Sequence, residues 1–460
     1  MAKKEVAPLP TKAERFRLNQ MALSDKFGEG SAYIPGGGVL HVPRVPTGSL
    51  RLDYATGGGL VVGKTITIYG GESSGKTSLV LRFIASAQRY CSNCWRVPVT
   101  ATLLTLESGA TVVSAPDGVG GYVDLLTGKS VPLEKIEQTV GTIPFCDCYK
   151  QKLFVPKMLP GEKDDFEPKD DFERRVELYR INSFEPVLAT YNDVEGDLDV
   201  PWARTLGVDL DRLAISTGDT GEEVADVVAY QIQSCNTDIV VVDSLAMMTP
   251  TTELEDSAND SRVGVQPRLL NHCMRVWTQA RVNAWRKHGR RVTVILVNQW
   301  RMKIDKFGGG PQVVGGMGQR FVGSIQLRCW EGKAGVSDFD VGKKGSEFQM
   351  ARTARTCFKV EKNKTFGSKG VEGEIDFYVR NCADGKIGEV DEFDDMWRLA
   401  KYFKVVDKTE KPVKWVVFGR EFETETAGKA AVRADAEFRF AMREHLLGLM
   451  LRKIDMEGAK

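Results

Sequence analysis

The chain is predicted to be an α/β protein built on a mostly parallel sheet with helices on both faces. Three observations predict this. Apolar runs of strand length recur at 65–69, 186–190, 238–242 and 292–297, and they read as strands covered on both sides. Amphipathic stretches of helical period separate them. A glycine-rich loop joins the first run to the helix expected at 78–89.

That loop, Gly70-Gly71-Glu72-Ser73-Ser74-Gly75-Lys76-Thr77, with Ser78 opening the helix, fits the phosphate-binding pattern G-x-x-x-x-G-K-[ST]. Its glycines let successive backbone N–H groups turn toward phosphate oxygens. The helix beyond it aims its positive end at the same place. Lys76 is expected to neutralise the β and γ oxygens of ATP, and the Thr77 hydroxyl to ligate Mg²⁺. Asp243 closes the apolar run Ile239-Val240-Val241-Val242, the position from which a carboxylate holds the Mg²⁺ water shell.

Outside this core, residues 11–27 have a helical pattern and are followed by a Gly/Pro-rich stretch. Such a helix packs on its own core or on a neighbouring subunit. Residues 91–185 break the α/β rhythm; this stretch is too long for an ordinary loop and rich in hairpin signals, so it is read as an inserted small β module. It carries Cys91-x-x-Cys94 and Cys146-x-Cys148. Four thiolates suit tetrahedral Zn²⁺ in a ribbon-like module; unliganded thiols and a redox pair are the alternatives. The segment 386–460 reads as a mixed α+β C-terminal domain. The expected division is 1–40 for the N-terminal segment, 41–90 with 186–385 for the core, 91–185 for the insert and 386–460 for the C-terminal domain.

Composition narrows the class further. Of 460 residues, 42% are hydrophobic and 27% charged, and 63 basic against 62 acidic residues leave a net charge of +1. A nucleic-acid site must therefore come from local Arg and Lys clusters. The start has no apolar signal region and no run is long enough for a bilayer, so a cytoplasmic protein without a membrane partner is expected, with its nine cysteines as thiols or metal ligands.

Taken together, several segments resemble the bacterial RecA recombinases: the phosphate loop with its Glu-Ser-Ser filling, Lys26-Phe27-Gly28-Glu29-Gly30-Ser31, Thr47-Gly48-Ser49-Leu50-Arg51-Leu52-Asp53, Ala203-Arg204-Thr205-Leu206-Gly207-Val208-Asp209, Asp219-Thr220-Gly221-Glu222 and Asn298-Gln299-Trp300-Arg301-Met302-Lys303-Ile304. The resemblance implies a RecA-like core with an N-terminal oligomerisation helix. It also implies DNA-dependent ATP hydrolysis, helical filaments on single-stranded DNA, pairing with double-stranded DNA, and work alongside a single-strand binding protein or a loader. A ring-forming helicase or branch-migration motor is the competing reading.

By the same resemblance, Glu195 activates the attacking water, with Glu107 as a rival. Trp202 stacks on adenine, Asp199 touches the base edge, and Gln299 senses the γ-phosphate. Lys362 and Lys364 reach the neighbouring subunit's ATP. The first DNA loop spans 253–265 with Arg262, followed by Arg268 and Arg275. The second spans 300–319 with Arg301, Lys303, Gly315 and Gly316. This chain departs from the family pattern at Gly196, Gln312 and Met317, in place of His, Glu and Asn.

Overall fold

The structure, a computed structural model, describes residues 11–27, 42–108, 111–116, 122–124, 130–146, 148, 185–255, 264–302, 311–315, 318–333, 351–365, 369–382, 385–409 and 414–458. The chain divides into two compact units, Met1–Ser86 with Ala189–Lys460, and Ala87–Leu188.

The larger unit is organised by a nine-stranded sheet. Its strands are β1 (Thr65–Gly70), β2 (Ala189–Asp193), β3 (Leu213–Ser216), β4 (Ile239–Asp243), β5 (Thr293–Met302), β6 (Pro311–Val313), β7 (Ile325–Glu331), β8 (Thr353–Asn363) and β9 (Glu372–Tyr378). They lie in the order β3-β2-β4-β5-β1-β7-β8-β9, with β6 attached to β5. The six from β3 to β7 run parallel, and β8 and β9 continue antiparallel. All five residues of β4 are buried, which explains its unbroken apolar run. β1 is flanked by two strands that come later in the chain, so a crevice opens at its carboxyl end, where α/β sheets bind ligands.

Helices supply the cover. α1 (Lys12–Phe27), α2 (Leu50–Thr56), α3 (Lys76–Ala87), α4 (Val200–Thr205), α5 (Gly221–Ser234) and α6 (Val265–His288) are followed by the short α7 (Gly318–Val322). α5 and α6 bury Val228, Ile232, Leu270, Met274 and Trp277 in one cluster with Val240, Val242, Val294 and Leu296 of the sheet. The Trp277 indole N–H donates to the Ala225 carbonyl at 2.9 Å and so pins α6 to α5. Thr220 caps α5 by accepting from the Glu223 N–H, which accounts for the Asp-Thr-Gly-Glu segment. On α1, Phe16, Leu18 and Met21 stay 56%, 57% and 63% exposed.

Of the boundaries that differ from expectation, three have a local reason. α3 begins at Lys76 rather than 78, because the phosphate loop passes straight into helix. β2 begins at Ala189 rather than 186, because Pro186 bridges to Cys91 inside the other unit. β5 runs on past 297 to Met302 because it continues as a hairpin with β6, pairing Trp300 with Val313 and Met302 with Pro311. The base of the segment expected as the second DNA loop, 300–319, is thus ordered sheet.

After the sheet come α8 (Phe393–Tyr402), α9 (Glu425–Ala434), α10 (Ala436–Gly458) and a three-stranded antiparallel sheet, Val406–Lys408, Trp415–Val417 and Arg420–Phe422. Their core of Met396, Trp397, Val417, Met442 and Leu446 also takes in Leu50 of α2. Beside it Arg443 lies 2.6 Å from Glu392 and 3.5 Å from Asp53. Asp53 is fully buried and accepts from the Thr47 N–H and hydroxyl. Burial pushes its carboxyl up to about 6 against the pull of Arg443.

The smaller unit is a five-stranded antiparallel sheet, in the order Ser130–Val131, Tyr122–Asp124, Thr111–Pro116, Val99–Leu106 and Ile136–Phe145. No helix among the described residues is long and apolar enough to cross a membrane.

Candidate active site

The phosphate loop leaves β1 at Gly70 and enters α3 at Lys76. Two of its glycines are dictated by sterics. A side chain at Gly70 would come within 2.2 Å of the Cys329 carbonyl on β7. Gly75 has φ +77°, and a Cβ there would lie 1.9 Å from the Thr356 hydroxyl on β8. The Lys76 ammonium is held at 2.5 Å by the Gly71 carbonyl, with the Ser74 hydroxyl at 3.3 Å. Burial pulls its pKa down while Asp243 and Glu195 push it back up, so the cation depends on the acids around it.

At the end of β4, one oxygen of Asp243 accepts from Thr77 at 2.8 Å and from the buried Tyr191 hydroxyl at 2.5 Å. Burial raises the Asp243 pKa, and these two donors counter it. The phenol of Tyr191 is itself raised by burial and by Asp243, so it remains a donor. Thr77 and Asp243 thus converge in front of the α3 N-terminus as a hard oxygen pair, a donor set that fits Mg²⁺.

Glu195 sits on the turn after β2. Asp193 shapes this turn by accepting from the N–H groups of Gly196 and Leu198 at 2.9 and 3.1 Å. Gly196 has φ +73°, a conformation that accounts for glycine at this departure from the family pattern. One oxygen of Glu195 accepts from both the buried Ser244 hydroxyl and the Gln299 amide, the latter at 3.0 Å. Gln299 is paired with Gly70 across β5 and β1, so a single strand register sets its side chain beside the phosphate loop.

The same strand leads into the hairpin. The Gln299 carbonyl accepts from the Val314 N–H at 3.1 Å, and Asn298 donates to Val314 and Gln319 at 2.9 and 2.6 Å. Gly315, at φ +88°, lies so close to α6 that a Cβ would sit 2.3 Å from Leu270. Both ends of the second loop are therefore tied down beside Gln299. Of Arg301 only the backbone is described. Arg268 and Arg275 are exposed on α6, seven residues and about two turns apart, hence on one face. Arg262, Lys303, Gly316 and Met317 lie outside the described residues.

A pocket of about 480 Å³ extends from the phosphate loop, lined by Ser73 to Ser78, Trp202, Thr353, Thr356, Phe377 and Val379 among others. Trp202 borders it on α4 and donates its indole N–H to Ser78 at 3.0 Å. One Asp199 oxygen is occupied as the α4 cap, accepting from the Trp202 N–H at 2.9 Å. Away from this pocket, the Lys362 and Lys364 ammonium groups both donate to the last carbonyls of α7, Lys364 to Phe321 at 3.2 Å. Burial and the neighbouring Lys364 pull Lys362 down to about 8. Glu107 follows the strand Val99–Leu106 in the smaller unit, whereas Glu195 shares the unit of the phosphate loop.

Sequence reasoning missed Tyr191, Ser244, Thr356, Phe377 and Val379. Ser244 directly follows Asp243 and was within reach of inspection. The pocket wall on β8 and β9 carries no local signal, because it meets the loop only through strand pairing across some 280 residues.

Comparison with known proteins places these features in context. A family described as RecA N-terminal domain matches residues 16–117 and 182–366. Protein RecA of Leifsonia xyli is 28% identical over 361 residues, 78% of this chain and 70% of that protein. Protein RecA of Saccharopolyspora erythraea is 27% identical over 362 residues, covering 78% and 72%. Protein RecA of Synechococcus elongatus is 29% identical over 366 residues, covering 79% and 72%.

Proposed function

Since the chain belongs to the RecA family, we propose that it is a DNA-dependent ATPase that forms filaments on single-stranded DNA and pairs that strand with a homologous duplex. The observation that carries this reading is the β5 register: Gln299 bonds Glu195 beside the phosphate loop, and its backbone carbonyl closes the hairpin that bears Arg301. A change in what Gln299 holds is thereby felt at the loop expected to grip DNA.

In this reading the phosphate loop and Lys76 bind the triphosphate, Ser78 and Trp202 border the base side, and Asp199 reaches its edge. Thr77 and Asp243 would hold Mg²⁺, which neutralises phosphate charge when bound. Glu195 orients and partly deprotonates the attacking water. Gln299 reports the γ-phosphate. Lys362 and Lys364 act on the adjacent protomer's nucleotide, so hydrolysis depends on assembly, and α1 with its exposed apolar side chains packs on a neighbouring protomer. Arg262, Arg268, Arg275, Arg301 and Lys303 contact DNA phosphates, with Gly315 and Gly316 as hinges. The DNA grip then weakens steeply with salt.

Negative-stain imaging with single-stranded DNA and a non-hydrolysable ATP analogue tests the proposal. Helical filaments that vanish in Lys76→Ala support it. Discrete rings would favour a helicase or branch-migration motor, and dispersed monomers would remove the filament from the account.

A further inference from the structure

Among the described residues, one cluster of metal-ligating side chains lies outside the nucleotide site. Cys91, Cys94, Cys146 and Cys148 bring their four sulfurs within 4.8 Å of one another. Cys91 is 3.6 Å from Cys148, and Cys146 is 3.2 Å from both Cys94 and Cys148. Zn–S bonds of about 2.3 Å in a tetrahedron put sulfurs roughly 3.8 Å apart, so small shifts bring the set onto a metal. The separations are far from the roughly 2.05 Å of a disulfide.

Hydrogen-bond donors surround the sulfurs, against burial that by itself raises all four thiols. Backbone N–H groups of Glu185, Asn93 and Cys94 donate to the Cys91 sulfur, that of Arg96 to Cys94, and that of Cys148 to Cys146. The Asn93 side chain donates to Cys148 and so links the two halves. Four thiolates on one dication leave a net negative charge, and donors aimed at the sulfurs are the second layer such a site requires. Trp95 takes φ +57° directly after Cys94, and the turn closes with the Trp95 N–H on the Cys91 carbonyl at 2.8 Å.

We propose that these four cysteines bind one zinc ion as a structural clasp at the neck of the 87–188 unit. The neck is where the chain enters and leaves. Cys91 bridges to Pro186, and the Ser92 N–H donates to the Glu185 carbonyl at 2.7 Å. Cys146 follows Phe145, whose pairing with Val99 ends the longest strand pair of the unit. The ion therefore fastens the entry turn, with which the exit segment pairs, to the open end of the sheet. The unit needs such a fastening: apart from the ligand Cys91, its described fully buried apolar side chains amount to Ala87, Ala101, Leu104, Phe145 and Val187, with Trp95 and Val131 nearly so. A core this small gains much of its folding free energy from a metal. Four protein ligands leave no open position for chemistry, and an all-sulfur set selects zinc or iron over harder cations.

Metal analysis of the full-length chain, purified without chelator, is the test. The expected result is one zinc per chain, with the four cysteines protected from alkylation until a chelator is added. The Cys146→Ser/Cys148→Ser variant should lose at least about nine-tenths of the zinc and become cleavable by protease within 87–188. Should that variant fail to fold, Co²⁺ exchange into the unaltered protein decides through the visible absorption of tetrahedral cobalt thiolate. Zinc-free protein whose four thiols alkylate equally with and without chelator would overturn the proposal, as would a disulfide within the set or iron in place of zinc. None of these readouts involves nucleotide or DNA, so the clasp and the recombinase reading stand or fall separately.

Discussion

Ser244→Ala is the sharpest probe of how Glu195 is aimed. The Glu195 oxygen has two donors, the Ser244 hydroxyl and the Gln299 amide. A hydrogen bond to a charged group contributes about 1.5–3 kcal/mol, so losing one of two leaves the carboxylate free to swing away from the position of the attacking water. Expressed wholly in the transition state, that loss lowers kcat by about 10- to 150-fold. The Ser244 hydroxyl bonds Glu195 rather than the phosphate loop, so nucleotide affinity should stay within about threefold. The stability cost is small too, because Glu195 is exposed and water replaces the lost donor. Phosphate release at saturating ATP and single-stranded DNA gives kcat, and a fluorescent nucleotide gives affinity. A variant that hydrolyses ATP within threefold of the unaltered rate would show that Ser244 does not position Glu195. An equal loss of binding and turnover would place the fault in the phosphate loop instead.

Other outcomes follow from the same geometry. Gly75→Ala should abolish nucleotide binding, because a left-handed backbone at alanine costs about 1–2 kcal/mol and the methyl meets Thr356 at 1.9 Å; Gly75→Ala/Thr356→Ala, which removes the nearest atom, should recover part of the affinity in equilibrium titration. Lys362→Ala/Lys364→Ala should leave nucleotide binding by isolated chains unchanged while DNA-stimulated turnover drops by about 10³ or more, and equal turnover would exclude a role across the subunit boundary. Asp53, raised from 3.8 to about 6 in the fold, favours folding most when protonated. Its contribution is present below about pH 4 and lost as pH rises to about 6, roughly 3 kcal/mol in all. Against Asp53→Asn, which does not titrate, the unaltered protein should lose that much relative stability over this range in denaturant unfolding, and a pH-independent difference would contradict the burial argument.

The sequence by itself determined whatever is encoded locally. The phosphate loop is legible because its glycines and the Lys76-Thr77 pair form one contiguous pattern, with Gly75 set by its own φ of +77°. The all-apolar run 239–242 is legible because both faces of β4 are covered, and the end of that run identifies Asp243. Cys91-x-x-Cys94 and Cys146-x-Cys148 announced two halves of a four-sulfur set. What only the tertiary structure decided is what meets across distance. Register sets Gln299 beside Gly70 and joins the carboxylates of Glu195 and Asp243 to Ser244 and Tyr191. Strand pairing brings Thr356, Phe377 and Val379 against a loop near the other end of the chain, and docking makes Arg443 the partner of Asp53. Periodicity and motif record the demands of a residue's own backbone and immediate neighbours. The identity of a cross-strand partner depends on sheet order and register, which many sequences satisfy and no single segment encodes.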